Sequence, residues 1–466
     1  MVSSKEYDII IIGSGTAGTS AAIKAVHLGK SRVAMIERGT LWGTCVNYGC
    51  IPSKFMLTAA ERMRRKKQDD REGGIPADGG LAGILSQKSA FIEKLRRKKY
   101  KNIVETLGVE IVEGEASFLS PTQIQVGDNI LTAPRFIIAT GSSPAFPPLE
   151  GIAAIRPMTN IEALEPQSVP ESLIVIGGRA LGLEFAQLYA HLGTKVTLLQ
   201  RSPRILPEEE PEISEMMAHY LALEGVDIRT SVDLSRVAGT GDRITVSART
   251  GDKPVEFSAE KILFATGRNP NTRDLHLDRA GVQTGKDGAV LVDATLQTSA
   301  PGIYAAGDVI GEPQLETNAK YGGSFAAGNA LGTTSITFDR SRLPHAVFTT
   351  PQIASVGLTE DHARRNGVQV VTRCTRMDVL ARADMTGDTR GMVKIVAEAG
   401  SQRILGVHIC SPLAAEIIGA GVLAVHHHMT VQDLADAGYI FPTLTEVLWV
   451  CARGFGRDDA GNCQKI

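Results

Sequence analysis

The chain has 466 residues, of which 21% are charged and 43% hydrophobic, an ordinary composition for a globular protein with two to four domains. Its formal net charge of -2 creates no overall field that would collect nucleic acid or an acidic membrane surface. No apolar run is long enough to span a bilayer, and the N-terminus lacks the features of a signal peptide. We therefore expect a cytoplasmic protein that binds neither nucleic acid nor membrane.

A glycine-rich turn follows the first predicted strand, Ile9–Ile12, and leads into an alanine-rich helix. Gly13 permits a tight turn, Gly15 lets the backbone approach a pyrophosphate, and Gly18 lets the helix pack closely on the strand. Glu37 ends the next predicted strand, where it would accept the ribose hydroxyls. The pattern predicts a dinucleotide-binding unit, and the alternative is a glycine-rich turn without a ligand.

Two of the six cysteines, Cys45 and Cys50, are separated by four residues. Pro52 fits the first turn of a helix, and a thiol at a helix N-terminus has a lowered pKa. Such a pair can take up two electrons when its disulfide opens. A closed zinc site would need four ligands, and no second Cys/His pair lies at a suitable spacing. We interpret the pair as redox-active rather than structural.

Two basic runs occur on predicted helices, at residues 64–67 and 96–99. No aromatic residues interleave with either run, as they would in a typical site for single-stranded nucleic acid. We therefore predict that both runs are solvated helix faces.

A second strand–turn–helix unit begins roughly 160 residues after the first. Gly177 and Gly182 flank its turn, but Arg179 replaces the middle glycine. The following strand ends at Gln200 and Arg201, where an NAD-binding unit usually offers an acid to the ribose. An uncharged residue followed by Arg201 favours the 2′-phosphate of NADPH, and the alternative is a solvated arginine.

Two further strands end alike, at Thr140-Gly141 and at Gly267, and we expect the chain to cross between the two nucleotide-binding units there. From about Pro344 the pattern changes to short strands followed by helices. This change predicts a third domain.

The segment Cys45–Lys54, the opening glycine turn and the stretch Tyr304–Asp308 resemble the pyridine nucleotide–disulfide oxidoreductases. That family includes dihydrolipoamide dehydrogenase, glutathione reductase and mercuric reductase. The resemblance covers essentially the whole chain and implies a homodimer with active sites at the interface. It implies an α/β fold with two Rossmann-like nucleotide-binding domains, the second inserted in the first, and a C-terminal α+β dimerisation domain. The implied boundaries are 1–152 and 275–343 for the FAD domain, 153–274 for the NAD(P)H domain and 344–466 for the interface domain.

The resemblance also implies roles for individual residues. Cys50 would be the thiol against the flavin, and Cys45 the interchange thiol that faces the substrate. Lys54 would lie near the flavin and pair with Glu184, because a buried cation needs a carboxylate partner. The cofactors would be FAD and NADPH, or NADH. The cofactor-binding residues are then Gly13, Gly15, Gly18, Glu37, Gly43, Thr44, Thr140, Gly141, Gly307, Asp308, Gly177, Gly182, Arg201 and Gly267, with Asp308 on the ribityl chain.

The C-terminal region departs from most disulfide reductases of the family, which carry His-Pro-Thr followed by a glutamate. Here Phe441 stands at the histidine position although Glu446 remains, so the proton donor for a leaving thiol is missing. Mercuric reductases also lack this base, because moving a soft ion between thiolates needs no such donor. They carry a vicinal cysteine pair in the C-terminal tail, where this chain has only Cys463. The implied metal ligands are Cys45, Cys50 and Cys463, and the alternative for the last is a free tail thiol.

Three functions follow from these features. In the first, NADPH reduces FAD, FAD reduces the Cys45–Cys50 disulfide, and the thiolates bind a soft ion such as Hg(II) for reduction. In the second, the chain is an NAD(P)H-dependent reductase of a disulfide, as in dihydrolipoamide dehydrogenase, or of a quinone or other small acceptor. The third is a binding protein or redox sensor with little turnover. The intact Cys45, Cys50, Lys54 and Glu184 argue against that third function.

Overall fold

A computed structural model describes residues 4–68, 80–240, 243–332 and 335–455. The described residues fall into two compact units. The first comprises residues within 1–55, 78–145 and 267–340, and the second residues within 56–77, 146–266 and 341–466. Across the described ranges, no helix combines the length and apolar character needed to cross a membrane.

The first unit is built on a five-stranded parallel sheet whose central strand is Ile9–Ile12. All four isoleucines of that strand are buried, as expected for a parallel strand covered on both faces. The strand order is Ile303–Ala305, Phe136–Ile138, Ile9–Ile12, Val33–Glu37 and Glu110–Glu113. A second sheet contains Ser4–Glu6, Asn129–Thr132, Gln123–Val126 and Ala116–Ser120, and Ser142–Pro144 pairs with Arg268–Pro270.

Two helices of the first unit are in close backbone contact. Helix Thr16–His27 packs against helix Glu316–Ala330 so closely that a Cβ atom on Gly323 would lie 2.1 Å from the Ala17 carbonyl oxygen. The other helices are Gly43–Asn47, Gly80–Tyr100, a π-helical turn Lys101–Thr106, and the start of Cys50–Gln68.

The second unit contains two different sheets. A four-stranded parallel sheet follows the order Asp227–Arg229, Lys195–Leu199, Ser172–Ile176 and Lys261–Phe264, beside an antiparallel sheet of Val232–Thr240, Arg243–Thr250 and Lys253–Ala259. The helices in this part are Asn160–Ala163, Ala180–Leu192 and Pro211–Leu223.

The other sheet of the second unit has five antiparallel strands. Their order is His345–Val347, Gln352–Gly357, Ile404–Ser411, Met392–Glu398 and Val370–Arg376. One core joins this sheet to the C-terminal helices through buried residues such as Val393, Val407 and Leu448. The helices are Glu360–Arg365, Ala381–Thr386, Ala414–His426, Val431–Asp436 and Glu446–Arg453.

The predicted strand Ile9–Ile12 and the strand-then-helix pattern after Pro344 are confirmed. The predicted α/β class is confirmed as well, with two parallel sheets of the kind found in nucleotide-binding domains. The division into three domains at residues 152, 274 and 343 stays a prediction.

Candidate active site

The first glycine turn is fixed by close backbone contacts. Gly13 has a φ of +109°, and a Cβ atom there would lie 2.3 Å from the Ala139 carbonyl oxygen. A Cβ atom on Gly18 would lie 1.9 Å from the Gly13 carbonyl oxygen. The carboxylate of Glu37 accepts hydrogen bonds from the Ser14 backbone N–H at 3.1 Å and from the Ser14 hydroxyl at 2.6 Å. The short Cβ distances at Gly13 and Gly18 leave room only for glycine at these two positions.

The same turn contacts the helix that carries Cys45. Gly43 has a φ of +64°, and a Cβ atom there would lie 2.7 Å from the Cα atom of Gly15. The buried Trp42, whose φ is +79°, donates its backbone N–H to the Ser14 hydroxyl at 2.9 Å. The thiol helix Gly43–Asn47 is therefore anchored directly on the glycine turn.

The turn fits the pyrophosphate of FAD. Gly15 caps helix Thr16–His27, whose first turn has no acidic residue and no side-chain cap. Its amide N–H groups and positive dipole end are therefore available to an anion, and the glycine backbone offers the close approach that a pyrophosphate requires.

Cys45 and Cys50 are in the thiol form and partly buried. Cys50 is the first residue of helix Cys50–Gln68, where the helix dipole stabilises a negative charge. A hydrogen bond to Cys50, burial and the charge on Cys50 raise the pKa of Cys45. This shift favours the protonated form of the Cys45 thiol.

Asp308 lies in a partly buried polar cluster. The Ser142 hydroxyl donates to Asp308 Oδ2 at 2.6 Å, and Arg268 donates to the Ser142 hydroxyl at 2.7 Å and to its carbonyl at 2.6 Å. Burial raises the pKa of Asp308, against the effects of Ser142 and Arg268. Gly307, with a φ of +80°, precedes the carboxylate. Ser142 and Arg268 are not among the residues predicted from the sequence, although each directly follows an Ala-Thr-Gly motif at a predicted strand end.

The two Ala-Thr-Gly strand ends are tied to each other. The Thr140 hydroxyl donates to the Asn271 carbonyl at 2.7 Å, and the Asn271 N–H donates to the Gly141 carbonyl at 2.9 Å. The Ala145 N–H donates to the Gly267 carbonyl at 3.0 Å. These bonds join the segment around Thr140–Ala145 to the segment around Gly267–Asn271.

The second glycine turn repeats the steric pattern of the first. Gly177 has a φ of +110°, and its Cβ atom would lie 2.4 Å from the Ala265 carbonyl oxygen. A Cβ atom on Gly182 would lie 1.8 Å from the Gly177 carbonyl oxygen. The Arg179 side chain is 61% exposed and lies 3.5 Å from Glu208, so it does not fill the turn.

The polar residues beside the second turn differ from those beside the first. Gln200 is buried, and its side-chain oxygen accepts a hydrogen bond from the Gly178 N–H at 2.8 Å. Arg201 is exposed. Arg204 already donates to the carbonyls of Pro207 and Glu209. Arg201 is therefore the arginine of this loop that is exposed to a ligand.

The sequence profile described as pyridine nucleotide-disulphide oxidoreductase matches residues 7–323, and the profile of that family's dimerisation domain matches residues 343–451. The chain belongs to this family. It is an NAD(P)H-dependent flavin disulfide oxidoreductase, whose cofactors are FAD and NAD(P)H. Its dimerisation domain supports a homodimer.

Several relatives are similar over nearly the whole chain. Mercuric reductases of Staphylococcus aureus, Lysinibacillus sphaericus and Streptomyces lividans are 41%, 39% and 38% identical, over 97%, 98% and 97% of this chain and 83%, 84% and 97% of their own lengths. Among solved structures, a Cu(II) complex of the HOCl-induced flavoprotein disulfide reductase RclA from Escherichia coli superposes with a TM-score of 0.86 at 27% identity. LpdA from Mycobacterium tuberculosis gives the same TM-score at 26% identity. Each comparison covers 96% of this chain and 99% of the other.

Two charged residues of the oxidoreductase lie in different units. Glu184 is buried and accepts a hydrogen bond from the Phe348 N–H at 2.9 Å. Lys54 is partly buried in the first turns of the helix that begins at Cys50. The pairing of Lys54 with Glu184 stays a prediction.

Phe441 in the C-terminal region lies at the surface, and 73% of the residue is exposed. Glu446 begins the helix Glu446–Arg453, and its carboxylate accepts a hydrogen bond from the Thr443 N–H at 2.9 Å. Glu446, the acidic member of the family's histidine–glutamate pair, is thus hydrogen-bonded to a residue close to it in sequence. Cys463 lies outside the described residues.

The prediction that residues 96–99 form a solvated face is wrong for two of the four. Arg97 and Lys98 are exposed, but Arg96 and Lys99 are partly buried. Arg96 donates to the Asn47 side-chain oxygen at 2.6 Å, which fastens helix Gly80–Tyr100 to the thiol helix. The earlier run is also only partly solvated, because Arg64 is partly buried and bonded to Glu61.

Proposed function

We propose that this oxidoreductase reduces a thiol-bound soft metal ion such as Hg(II), with electrons passing from NADPH through FAD to the Cys45–Cys50 pair. The observation that carries the proposal is an intact dithiol combined with an exposed Phe441 at the histidine position. Phenylalanine cannot move a proton, whereas exchange of a soft ion between thiolates needs no proton donor. The similarity to mercuric reductases over at least 97% of the chain supports the same conclusion.

Within this proposal the two thiols have different tasks. When bound, FAD would supply two-electron transfer between the nicotinamide and the thiols. Cys50 holds the negative charge beside the flavin, at the helix N-terminus that stabilises it. Cys45 loses its proton to solvent when the soft ion binds, so that two thiolates ligate the ion. Each turnover converts one NADPH to NADP⁺ and a proton, and its two electrons reduce one Hg(II) to Hg(0).

The residues around the first turn would hold FAD. We assign the pyrophosphate to the uncapped helix end beside Gly15, the ribose to Glu37 and the ribityl chain to Asp308. Lys54 would stabilise the reduced flavin, with Glu184 as its carboxylate partner. The remaining FAD contacts would come from Gly13, Gly18, Gly43, Thr44, Thr140, Gly141 and Gly307.

The second turn would hold NADPH. Gly177 and Gly182 give the backbone the same close approach as in the first turn, and Gly267 follows the strand Lys261–Phe264. The exposed Arg201 would pair with the 2′-phosphate, while the neutral Gln200 leaves the site without an acid that would repel it.

The active sites would lie at the interface of the homodimer, with Cys463 of one protomer as a relay ligand for the thiol pair of its partner. Glu446 would remain near that interface without the histidine that it orients in other members. A cytoplasmic location belongs to this proposal.

A second candidate is the reduction of a small disulfide, quinone or other acceptor. The similarity to the flavoprotein disulfide reductase RclA favours this alternative. The substitution Phe441→His separates the candidates, because it restores the position of a proton donor. A gain in turnover of lipoamide or glutathione disulfide, with unchanged Hg(II) turnover, is the result that we expect.

The direct test is NADPH oxidation by the purified holoenzyme with Hg(II) in excess small thiol, beside lipoamide, glutathione disulfide and a quinone. We expect turnover with Hg(II), little with the other acceptors, and none in Cys45→Ala or Cys50→Ala. Cys410→Ala is the matched control, since that thiol is buried in a sheet of the second unit. A flavin that NADPH reduces but that Hg(II) does not reoxidise would overturn the proposal.

A further inference from the structure

Two adjacent glutamates, Glu209 and Glu210, are buried at the end of the loop that follows Arg201. Only 2% of Glu209 and 1% of Glu210 is exposed. Glutamate is almost never fully buried unless it is paired, and two neighbouring carboxylates carry a desolvation cost that apolar residues would not have. The partners of the two carboxylates therefore indicate what this end of the loop does.

These partners belong to the antiparallel sheet of the second unit. Glu209 Oε2 accepts a hydrogen bond from the Ser355 hydroxyl at 2.6 Å, and its Oε1 contacts His345 Nε2. Glu210 Oε2 accepts a hydrogen bond from the Lys394 ammonium at 2.9 Å. The three partners lie on three different strands, His345–Val347, Gln352–Gly357 and Met392–Glu398. The sheet thus anchors the end of the loop at three points.

Further hydrogen bonds connect this anchor to the rest of the loop and to the second glycine turn. The Glu209 carbonyl accepts a hydrogen bond from the Arg204 guanidinium at 3.1 Å. The Leu206 N–H donates to the Gly178 carbonyl at 2.8 Å. Leu206 has a φ of +43°, a backbone conformation that leucine rarely adopts. The loop after Arg201 is therefore fixed at its middle as well as at its end.

We propose that Ser355 and Lys394 are positioning residues that fix Arg201 for the 2′-phosphate of NADPH, acting through Glu209 and Glu210. The inference rests on the proposed function in one respect, namely that Arg201 pairs with that phosphate. A guanidinium makes paired hydrogen bonds to phosphate only in the correct orientation, and a loop that is anchored in advance loses less conformational freedom on binding. The C-terminal sheet thereby contributes to the choice between NADPH and NADH.

The test measures nucleotide affinity and needs no electron acceptor. The oxidised holoenzyme is mixed anaerobically with NADPH or NADH, and the concentration dependence of flavin reduction in a stopped-flow instrument gives a Kd and a limiting rate for each nucleotide. In Ser355→Ala we expect the Kd for NADPH to rise about fourfold, because one hydrogen bond to the buried Glu209 carboxylate is lost. The Kd for NADH and both limiting rates should not change.

A double substitution separates positioning from a general loss of structure. If Ser355 acts through Arg201, Ser355→Ala should have no further effect on the Kd for NADPH in protein that already carries Arg201→Gln. A general loss of structure would instead add to the effect of Arg201→Gln and would weaken NADH as well. Ser411→Ala is the matched control, because Ser411 is a buried serine of the same sheet whose hydroxyl accepts from the Leu413 N–H.

Glu210→Gln tests the second anchor. Lys394 also contacts Glu212 at 2.9 Å and Glu360 at 3.0 Å, so replacing the lysine itself would leave three carboxylates without their cation and would impair folding. Glu210→Gln keeps the size of the side chain and removes its charge. We expect a rise in the Kd for NADPH similar to that in Ser355→Ala, with the Kd for NADH unchanged.

An unchanged Kd for NADPH in Ser355→Ala, equal weakening of both nucleotides, or additive effects in the double variant would overturn the inference. An Arg201→Gln variant that binds NADPH as tightly as the wild type would contradict the role of Arg201 in the proposed function, and the inference with it. Because flavin reduction needs no acceptor, failure of Hg(II) turnover in the wild type would contradict the proposed reaction and leave the role of the anchor intact.

Discussion

The two glycine turns of this chain have nearly the same steric construction and different electrostatics. In both, the first glycine faces a carbonyl of the neighbouring strand end, with hypothetical Cβ distances of 2.3 Å for Gly13 and 2.4 Å for Gly177. The last glycine faces the carbonyl of the first, at 1.9 Å for Gly18 and 1.8 Å for Gly182. Both turns therefore meet the backbone requirement for close approach to a pyrophosphate.

The residue that ends the second strand carries the difference. Glu37 and Gln200 occupy equivalent places, since each accepts a backbone N–H from its own turn, from Ser14 and Gly178 respectively. One is a charged carboxylate and the other a neutral amide followed by Arg201. We therefore predict that the glycines define the approach of a dinucleotide and that the strand end selects which dinucleotide binds.

The largest expected effect comes from filling the last glycine of each turn. Gly18→Ala should give protein with at least tenfold lower FAD occupancy, because its Cβ atom cannot fit beside the Gly13 carbonyl. Gly182→Ala should give a yellow protein whose flavin is reduced by dithionite but at least tenfold more slowly by NADPH. Flavin absorbance and stopped-flow reduction measure both, with Gly419→Ala, which faces open space, as the control. Normal NADPH reduction in Gly182→Ala would contradict the equivalence of the turns.

The next effect concerns the loop behind the second turn, which ends in the buried Glu209. Burial opposes its charge, but bonds from His345 and Ser355 lower the pKa of Glu209 to about 2, from 4.5. This stabilisation, about 3 kcal/mol, is complete above pH 4.5 and is lost as the pH falls towards 2. The pKa of His345 is raised. His345 therefore stabilises the folded state at a pH below its ordinary pKa, and this contribution is lost as the pH rises through the raised pKa.

Glu209→Gln should therefore lower the free energy of unfolding at neutral pH and flatten its loss between pH 4.5 and 2. Urea unfolding at several pH values measures this, with the exposed Glu105→Gln as the control. A variant with the same acid dependence as the wild type would show that Glu209 does not carry the titration.

A smaller effect is expected from Arg201→Gln. Loss of one charged hydrogen bond to the 2′-phosphate should raise the KM for NADPH about tenfold and leave the KM for NADH unchanged. Steady-state kinetics with both nucleotides measure the ratio, and Arg229→Gln, which removes an arginine paired with Asp227, is the control. An equal change for both nucleotides would indicate lost packing rather than lost phosphate recognition.

The smallest effect is expected from Gln200→Glu, which makes the second strand end resemble the first. A carboxylate there should repel the 2′-phosphate and shift the preference towards NADH by several-fold. The ratio of kcat/KM for NADH to that for NADPH measures the shift. A preference that does not move would mean that Gln200 serves the turn alone, through its bond to Gly178.

The sequence allowed the turns and the thiol pair to be predicted because their requirements are local. A tight turn and a helix N-terminus after Gly49 are decided by residues a few positions apart. The partners of Asn47 and Asp308 could not be predicted, because Arg96 lies 49 residues from Asn47 and Ser142 lies 166 residues from Asp308. The partial burial of the basic run at 96–99 could not be predicted for the same reason, since the exposure of a side chain depends on what its helix packs against.

The roles of Lys54, Glu184 and the glycines of both turns stay predictions. The proposed function depends above all on the passage of electrons from the dithiol to a soft metal ion. The most direct measurement follows NADPH consumption and Hg(0) vapour together, in the holoenzyme supplied with Hg(II) and excess thiol. We expect one Hg(0) to be released per NADPH oxidised by the wild type, and neither Hg(0) release nor NADPH oxidation in Cys45→Ala. NADPH oxidation that yields no Hg(0), or vapour that persists in Cys45→Ala, would contradict it.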